Sequence, residues 1–145
     1  MGLILLDTNI LIDHFNGIPE ALDEIANHEN LAISAITWME VAAGLSPADV
    51  GAFDQLTRQL PVYVLHTTDE IIRETTRLRS ASIKAHRAGT GKKLATPDAI
   101  ILATANITGR QLVTRNPADF AAASTPVRVP YTLTDGIVSN IRPWP

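Results

Sequence analysis

Four acids in this sequence stand where a local pattern changes. Asp7 ends the apolar run Leu3-Ile4-Leu5-Leu6, Glu40 interrupts the apolar stretch from Ile36 to Leu45, Asp98 follows Pro97 ahead of another apolar stretch, and Asp119 comes shortly after Gln111-Leu112-Val113-Thr114. Carboxylates brought together repel and raise one another's pKa unless a cation joins them. A hard divalent ion such as Mg²⁺ or Mn²⁺, which prefers oxygen ligands, relieves that repulsion. Such a site can activate a water and neutralise charge growing on a phosphodiester. The residue types alone reach metal-dependent phosphoryl chemistry and stop there.

Each acid also has a plainer explanation. Asp7 lies before Thr8 and Asn9, which suit a helix start, so it can be a cap at a strand-to-helix turn. That turn lies at the carboxyl end of a strand, where ligands bind in open α/β sheets. Glu40 and Asp98 come from the first turns of otherwise apolar helices. A carboxylate buried in the Glu40 helix costs several kcal/mol unless it is paired or bound to a metal, whereas an edge position would leave it in solvent. Asp98 in a first turn gains a few tenths to about 1 kcal/mol from the helix dipole, with Thr96 as cap and Pro97 at the first helical position. Asn116 precedes Pro117 in an ordinary turn pair.

These positions need a scaffold, and the pattern supplies one. Leu3 to Leu6, without alternation, reads as a strand buried on both faces. Leu31-Ala32-Ile33-Ser34, Pro61-Val62-Tyr63-Val64-Leu65 and Gln111-Leu112-Val113-Thr114 are further strands, and Val127-Arg128-Val129 is a fifth edge strand guarded by Pro126 and Pro130. Helices are predicted after Asp7 through Phe15, from Pro19, over Ile36 to Gly44, from Pro47 to near Leu60, from Thr67 or Thr68 to Ala88, and from Thr96 to Gly109. Strands alternating with helices give an α/β fold with a central parallel sheet of four or five strands. Residues 132–145 carry no clear signal.

The chain has 145 residues, 46% hydrophobic, with net charge -3 and no cysteine. That fits one domain over residues 1–145 with a real core, and leaves no thiolate site or disulfide. No apolar stretch approaches the roughly 18 residues of a membrane span, and no export signal is evident, so a cytoplasmic protein is expected. All twelve Lys and Arg lie at or after Arg58, while nine of the fifteen acids precede it. Arg73, Arg77, Lys84 and Arg87 recur at helical spacing, as a solvated row or a phosphate-contacting face.

Other chemistries fail on the residues. Gly89-Thr90-Gly91-Lys92-Lys93 lacks the leading Gly and the Ser or Thr of a P-loop. A haloacid-dehalogenase-like phosphatase needs an Asp where Asn9 stands, and a receiver domain needs an early acidic pair. A serine hydrolase needs a Gly-x-Ser-x-Gly elbow. His14, His28, His66 and His86 show no metal-ligand spacing.

Asp7-Thr8-Asn9-Ile10-Leu11-Ile12-Asp13, Trp38-Met39-Glu40-Val41, the segment from Pro97-Asp98 to Ala105, and Thr114-Arg115-Asn116-Pro117-Ala118-Asp119-Phe120 together resemble the PIN-domain ribonucleases, especially VapC-type toxins of bacterial toxin–antitoxin pairs. The resemblance covers nearly the whole chain and implies a three-layer α/β/α domain. It implies that Asp7, Glu40 and Asp98 bind Mg²⁺ or Mn²⁺; the matching segment offers both Asn116 and Asp119 for the fourth position, with Asp119 favoured as the acid and Asn116 in support. Thr8 and Thr114 would orient ligands. It further implies RNA cleavage, a homodimer and a cognate antitoxin, with Lys84, Arg87, Lys92, Lys93 and Arg115 as candidates for RNA backbone contacts. Asp13 has the weaker claim to a role and is expected to face solvent. The alternative is a catalytically silent PIN module that binds RNA or a protein.

Overall fold

The computed structural model describes residues 2–60 and 62–144; Pro61, expected to open the third strand, lies outside them. Four short strands, β1 (Ile4–Leu6), β2 (Leu31–Ser34), β3 (Val62–Leu65) and β4 (Gln111–Val113), form a parallel sheet in the order β3-β2-β1-β4. The register runs Ile4 beside Leu31 and Gln111, so β1 is central and buried along its length. That is why its sequence is continuously apolar rather than alternating.

Ile4 and Leu6 point to one face, where they pack with Ile33 and Val113 against α1 (Thr8–Phe15), α2 (Pro19–Ala26), α3 (Ala35–Gly44) and α4 (Pro47–Gln59). Leu5, with Ala32 and Leu112, points to the other, covered by α5 (Asp69–Arg87) and α6 (Thr96–Thr108). The result is the expected three-layer α/β/α arrangement. Helix α6 ends at Gly109, whose φ of 69° places it in the left-handed region that a C-cap glycine occupies without a Cβ penalty. No helix among the described residues is long and apolar enough to cross a membrane.

Three local expectations are corrected. Val127 to Val129 contributes only an isolated parallel bridge between Val113 and Arg128, because prolines on both sides deprive the segment of ladder donors. Helix α6 is capped by Ala95, not by the Thr96 side chain: the bond from Ala99 N to Ala95 O (2.9 Å) makes Thr96 itself helical. The end of the chain is not featureless. Strands β5 (Thr132–Thr134) and β6 (Ile137–Ser139) form an antiparallel hairpin, turned by Asp135 and Gly136 at φ 53° and 75°. Asp-Gly is the dipeptide that a two-residue turn with both central φ positive demands, so the signal was present in the sequence.

Candidate metal centre

The order β3-β2-β1-β4 changes direction between β1 and β4. At such a switch point the loops leaving two adjacent strands part to opposite sides and open a crevice at their carboxyl ends. Asp7 leaves β1 and Thr114 leaves β4 at this point. Asp7 adopts extended φ and ψ of -75° and 156° and is the N-cap of α1, so the capping and site readings fall on one residue. Its Oδ1 accepts from Thr8 N at 2.7 Å and its Oδ2 from the Thr114 hydroxyl at 2.7 Å.

The Thr114 hydroxyl also accepts from Asn9 Nδ2 (3.1 Å) and from Asn116 N (3.0 Å). With both lone pairs engaged, its single proton is directed at Asp7. Asn9 completes the bracket by accepting from Arg115 N at 3.3 Å. Asn9 read as a capping residue in the sequence; its role in linking β4 to α1 needs the two strands side by side.

Glu40 lies in the second turn of α3 and is exposed, which corrects the expectation of a first-turn acid in a buried helix. Only one face of α3 meets the core: Val41 is buried while Met39 is 53% exposed. Glu40 accepts from the Thr8 hydroxyl at 3.1 Å, and Thr8 in turn meets the fully buried Thr37 hydroxyl at 3.1 Å. Thr37 escaped the sequence reading, although a polar residue three positions before Glu40 on an apolar helix marks the same face.

Asp98 is half-buried in the first turn of α6. Asp119 lies on the short 3-10 turn Pro117–Phe120, where its two oxygens accept from Lys92 Nζ and from Asn116 Nδ2, each at 2.8 Å.

Charge ties the four acids together. Burial pushes the Asp7 carboxyl up to about 6, helped by the charges of Asp98 and Glu40 and opposed by the bonds from Thr114 and Thr8. Asp98 is raised by burial, then by Asp119 and Glu40, with Lys92 acting in the opposite sense. Among the described residues, no three acidic or histidine side chains stand together as a ready-made metal cage. The donor set of carboxylate oxygens backed by hydroxyls is nonetheless the one that suits Mg²⁺ or Mn²⁺.

Two expected RNA-contacting cations are engaged elsewhere, Lys92 with Asp119 and Arg115 with Asp13. Lys84, Arg87 and Lys93 form no ion pair among the described residues. Asp13 does not face solvent. It is 2% exposed, takes both Nε and Nη2 of Arg115, and accepts from the Tyr131 hydroxyl at 2.7 Å. Helix α1 turns this acid inward because the hairpin segment carrying Tyr131 closes over it.

Fold and site define a three-layer α/β protein with an acidic centre at the switch point of its parallel sheet. The chain belongs to the PIN domain family, whose profile matches residues 4–125. It is similar to a chain of a toxin–antitoxin complex from Klebsiella pneumoniae, at 36% identity and a TM-score of 0.64, over 87% of this chain and 99% of that one. DNA-bound VapBC from Salmonella typhimurium matches at 27% identity and TM-score 0.67, over 88% and 96%. FitAcB from Neisseria gonorrhoeae matches at 25% and 0.68, over 88% and 97%. A comparison with curated proteins finds no match.

Proposed function

We propose that this chain is a Mg²⁺- or Mn²⁺-dependent endoribonuclease toxin, acting in the cytoplasm as a homodimer and restrained by an antitoxin. The observation that carries the reading is the buried Asp7 at the β1/β4 switch point, disfavoured as an anion by its surroundings and by two further acids. Such an arrangement is unfavourable without a cation and favourable with one. Asp7, Glu40, Asp98 and Asp119 would hold the ion, with Asn116 fixing Asp119. A divalent ion bound there supplies Lewis acidity towards a water and the phosphodiester. Thr114 and Thr8 orient the carboxylates of Asp7 and Glu40. The antitoxin partner rests on the solved relatives, which are toxin–antitoxin complexes.

Purified protein, stripped of any co-purified partner in denaturant and refolded, is expected to cut total RNA with Mg²⁺ or Mn²⁺ and to stop on chelation. Cleavage that survives both chelation and Asp98→Asn would overturn the metal mechanism. RNA binding without cleavage by the refolded parent would favour the silent PIN module instead.

The Thr114 hydroxyl gives a second check. Thr114→Val removes the donor to Asp7 and leaves Asn9 Nδ2 and Asn116 N without their acceptor. A drop in metal affinity or cleavage of about 10- to 100-fold is expected, the usual loss when a ligand's supporting partner is removed. Thr114→Ser, which keeps the hydroxyl, should restore most of it, and equal effects of Val and Ser on metal titration would remove Thr114 from the site.

A further inference from the structure

We propose that the cavity between α5, α6 and the 3-10 turn, next to the acidic centre, is a pocket for one nucleobase of the RNA flanking the bond to be cut; this rests on the ribonuclease reading. The cavity measures about 330 Å³, at the small end of the ~300–1,000 Å³ of small-molecule sites. Its floor is apolar, made by Leu78, Leu94 and the fully buried Leu102, with the exposed Ala81 on one wall. Small side chains, Ala118 and Ala121, form the opposite wall and leave the slot open.

Three features fit a base rather than another apolar guest. First, the cavity shares Asp119 with the proposed centre, since that residue lines it. A strand whose phosphate lies at the acids therefore has its neighbouring base within reach of the slot. Second, cations stand at the mouth: Lys92 and Arg77, whose side chains are 79% and 65% exposed. Each is paired with an acid, Arg77 with Glu74 and Lys92 with Asp119, and stands exposed where a backbone phosphate can compete for it. Third, the interior offers apolar surface and little else, since the Ser82 hydroxyl already donates to Arg79 O (2.9 Å) and accepts from Leu94 N (3.1 Å). Such a surface receives the flat face of a splayed-out base, and single-stranded RNA is commonly read with its bases unstacked.

The Lys92–Asp119 pair lines the pocket. A phosphate arriving beside the inserted base would compete for Lys92 and free an Asp119 oxygen, one of the groups that would hold the ion. Base insertion and completion of the acidic centre are thereby coupled through one side chain.

The test uses single-stranded oligoribonucleotides carrying an abasic site at successive positions. In the parent protein with Mn²⁺, loss of the base at one position next to the cleaved bond is expected to raise KM about tenfold or more, the scale of one lost stacking contact. Ala81→Leu and Ala121→Leu, which fill the slot from opposite walls, should raise KM on the intact oligonucleotide by a similar factor. They should leave kcat within a few-fold and be insensitive to the abasic site. A filled variant that keeps the parent's KM and its abasic sensitivity overturns the proposal, as does a parent indifferent to every abasic position. A parent that cuts no RNA at all sinks the ribonuclease reading instead, and this proposal with it. If the filled variants lose only the binding of a protein partner, the pocket belongs to that partner. Unchanged melting temperatures of both variants separate these outcomes from misfolding.

Discussion

Asp7→Asn is expected to lower metal-dependent RNA cleavage by about 10³-fold or more while flattening the pH dependence of the metal-free protein's stability. The first effect follows from losing an anionic ligand at the centre: several kcal/mol of charge stabilisation, at about 1.4 kcal/mol per tenfold, gives that factor. The second follows from the raised pKa. The carboxyl ordinarily titrates near 3.8 and in the folded protein near 6, so folding favours its neutral form. Its contribution to stability is fully present below the unfolded value and is lost as pH rises through about 6. At about 1.4 kcal/mol per unit the difference is on the order of 3 kcal/mol between pH 4 and pH 7.5. An amide at position 7 has no such titration.

The measurement is denaturant unfolding of both proteins in chelator across that range, read as the difference between them. Parent stability relative to Asp7→Asn should fall between about pH 4 and pH 6 and level off above that, and Mn²⁺ should restore it in the parent only. Parallel curves, with no change in the difference, would show that Asp7 is not the disfavoured anion at the centre. The Asn side chain also turns an N–H pair towards the Thr114 hydroxyl, so the predicted quantity is the slope with pH and not the absolute stability.

Asp13→Ala is expected to be the most damaging substitution to stability. Asp13 is buried, holds the Arg115 guanidinium through both of its oxygens, and accepts from the buried Tyr131 phenol. Burial and the neighbouring Asp13 carboxylate keep that phenol protonated, so it donates at any physiological pH. Removing the acid leaves a half-buried cation and a buried hydroxyl without partners. Breaking one side of a buried pair costs about 3–5 kcal/mol. For a chain of this size that is a fall in Tm of roughly 10 °C or more. Tyr131→Phe removes one neutral donor and should cost only about 1 kcal/mol. Thermal unfolding of the two variants checks the order, and equal effects would remove the charge pair as the source. Because Asp13 is paired with Arg115 and Tyr131 and is not among the charges acting on Asp7 or Asp98, Mn²⁺ should stabilise Asp13→Ala as it does the parent.

Much of this was legible along the chain. The unbroken apolar run before Asp7 identified a strand covered on both faces, and Pro19, Pro47 and Gly109 marked helix ends that the structure keeps. Those signals are local: backbone stiffness, capping chemistry and residue periodicity act within a few positions. Val127 to Val129 misled because strand propensity says nothing about whether flanking prolines leave enough donors for a ladder. The Asp135-Gly136 hairpin was readable and passed over.

What the order of residues determined by itself was the parallel α/β plan and the identity of the acids available to it, since burial on two faces writes a continuous apolar strand. Tertiary structure alone decided the company each acid keeps. Placing β1 beside β4, with more than a hundred residues of chain between them, gives Asp7 its Thr114 donor and draws Asp13 inward to Arg115 and Tyr131. The same packing leaves Glu40 in solvent. Burial and charge coupling are properties of neighbours in space, and no spacing along a chain records which neighbours those will be.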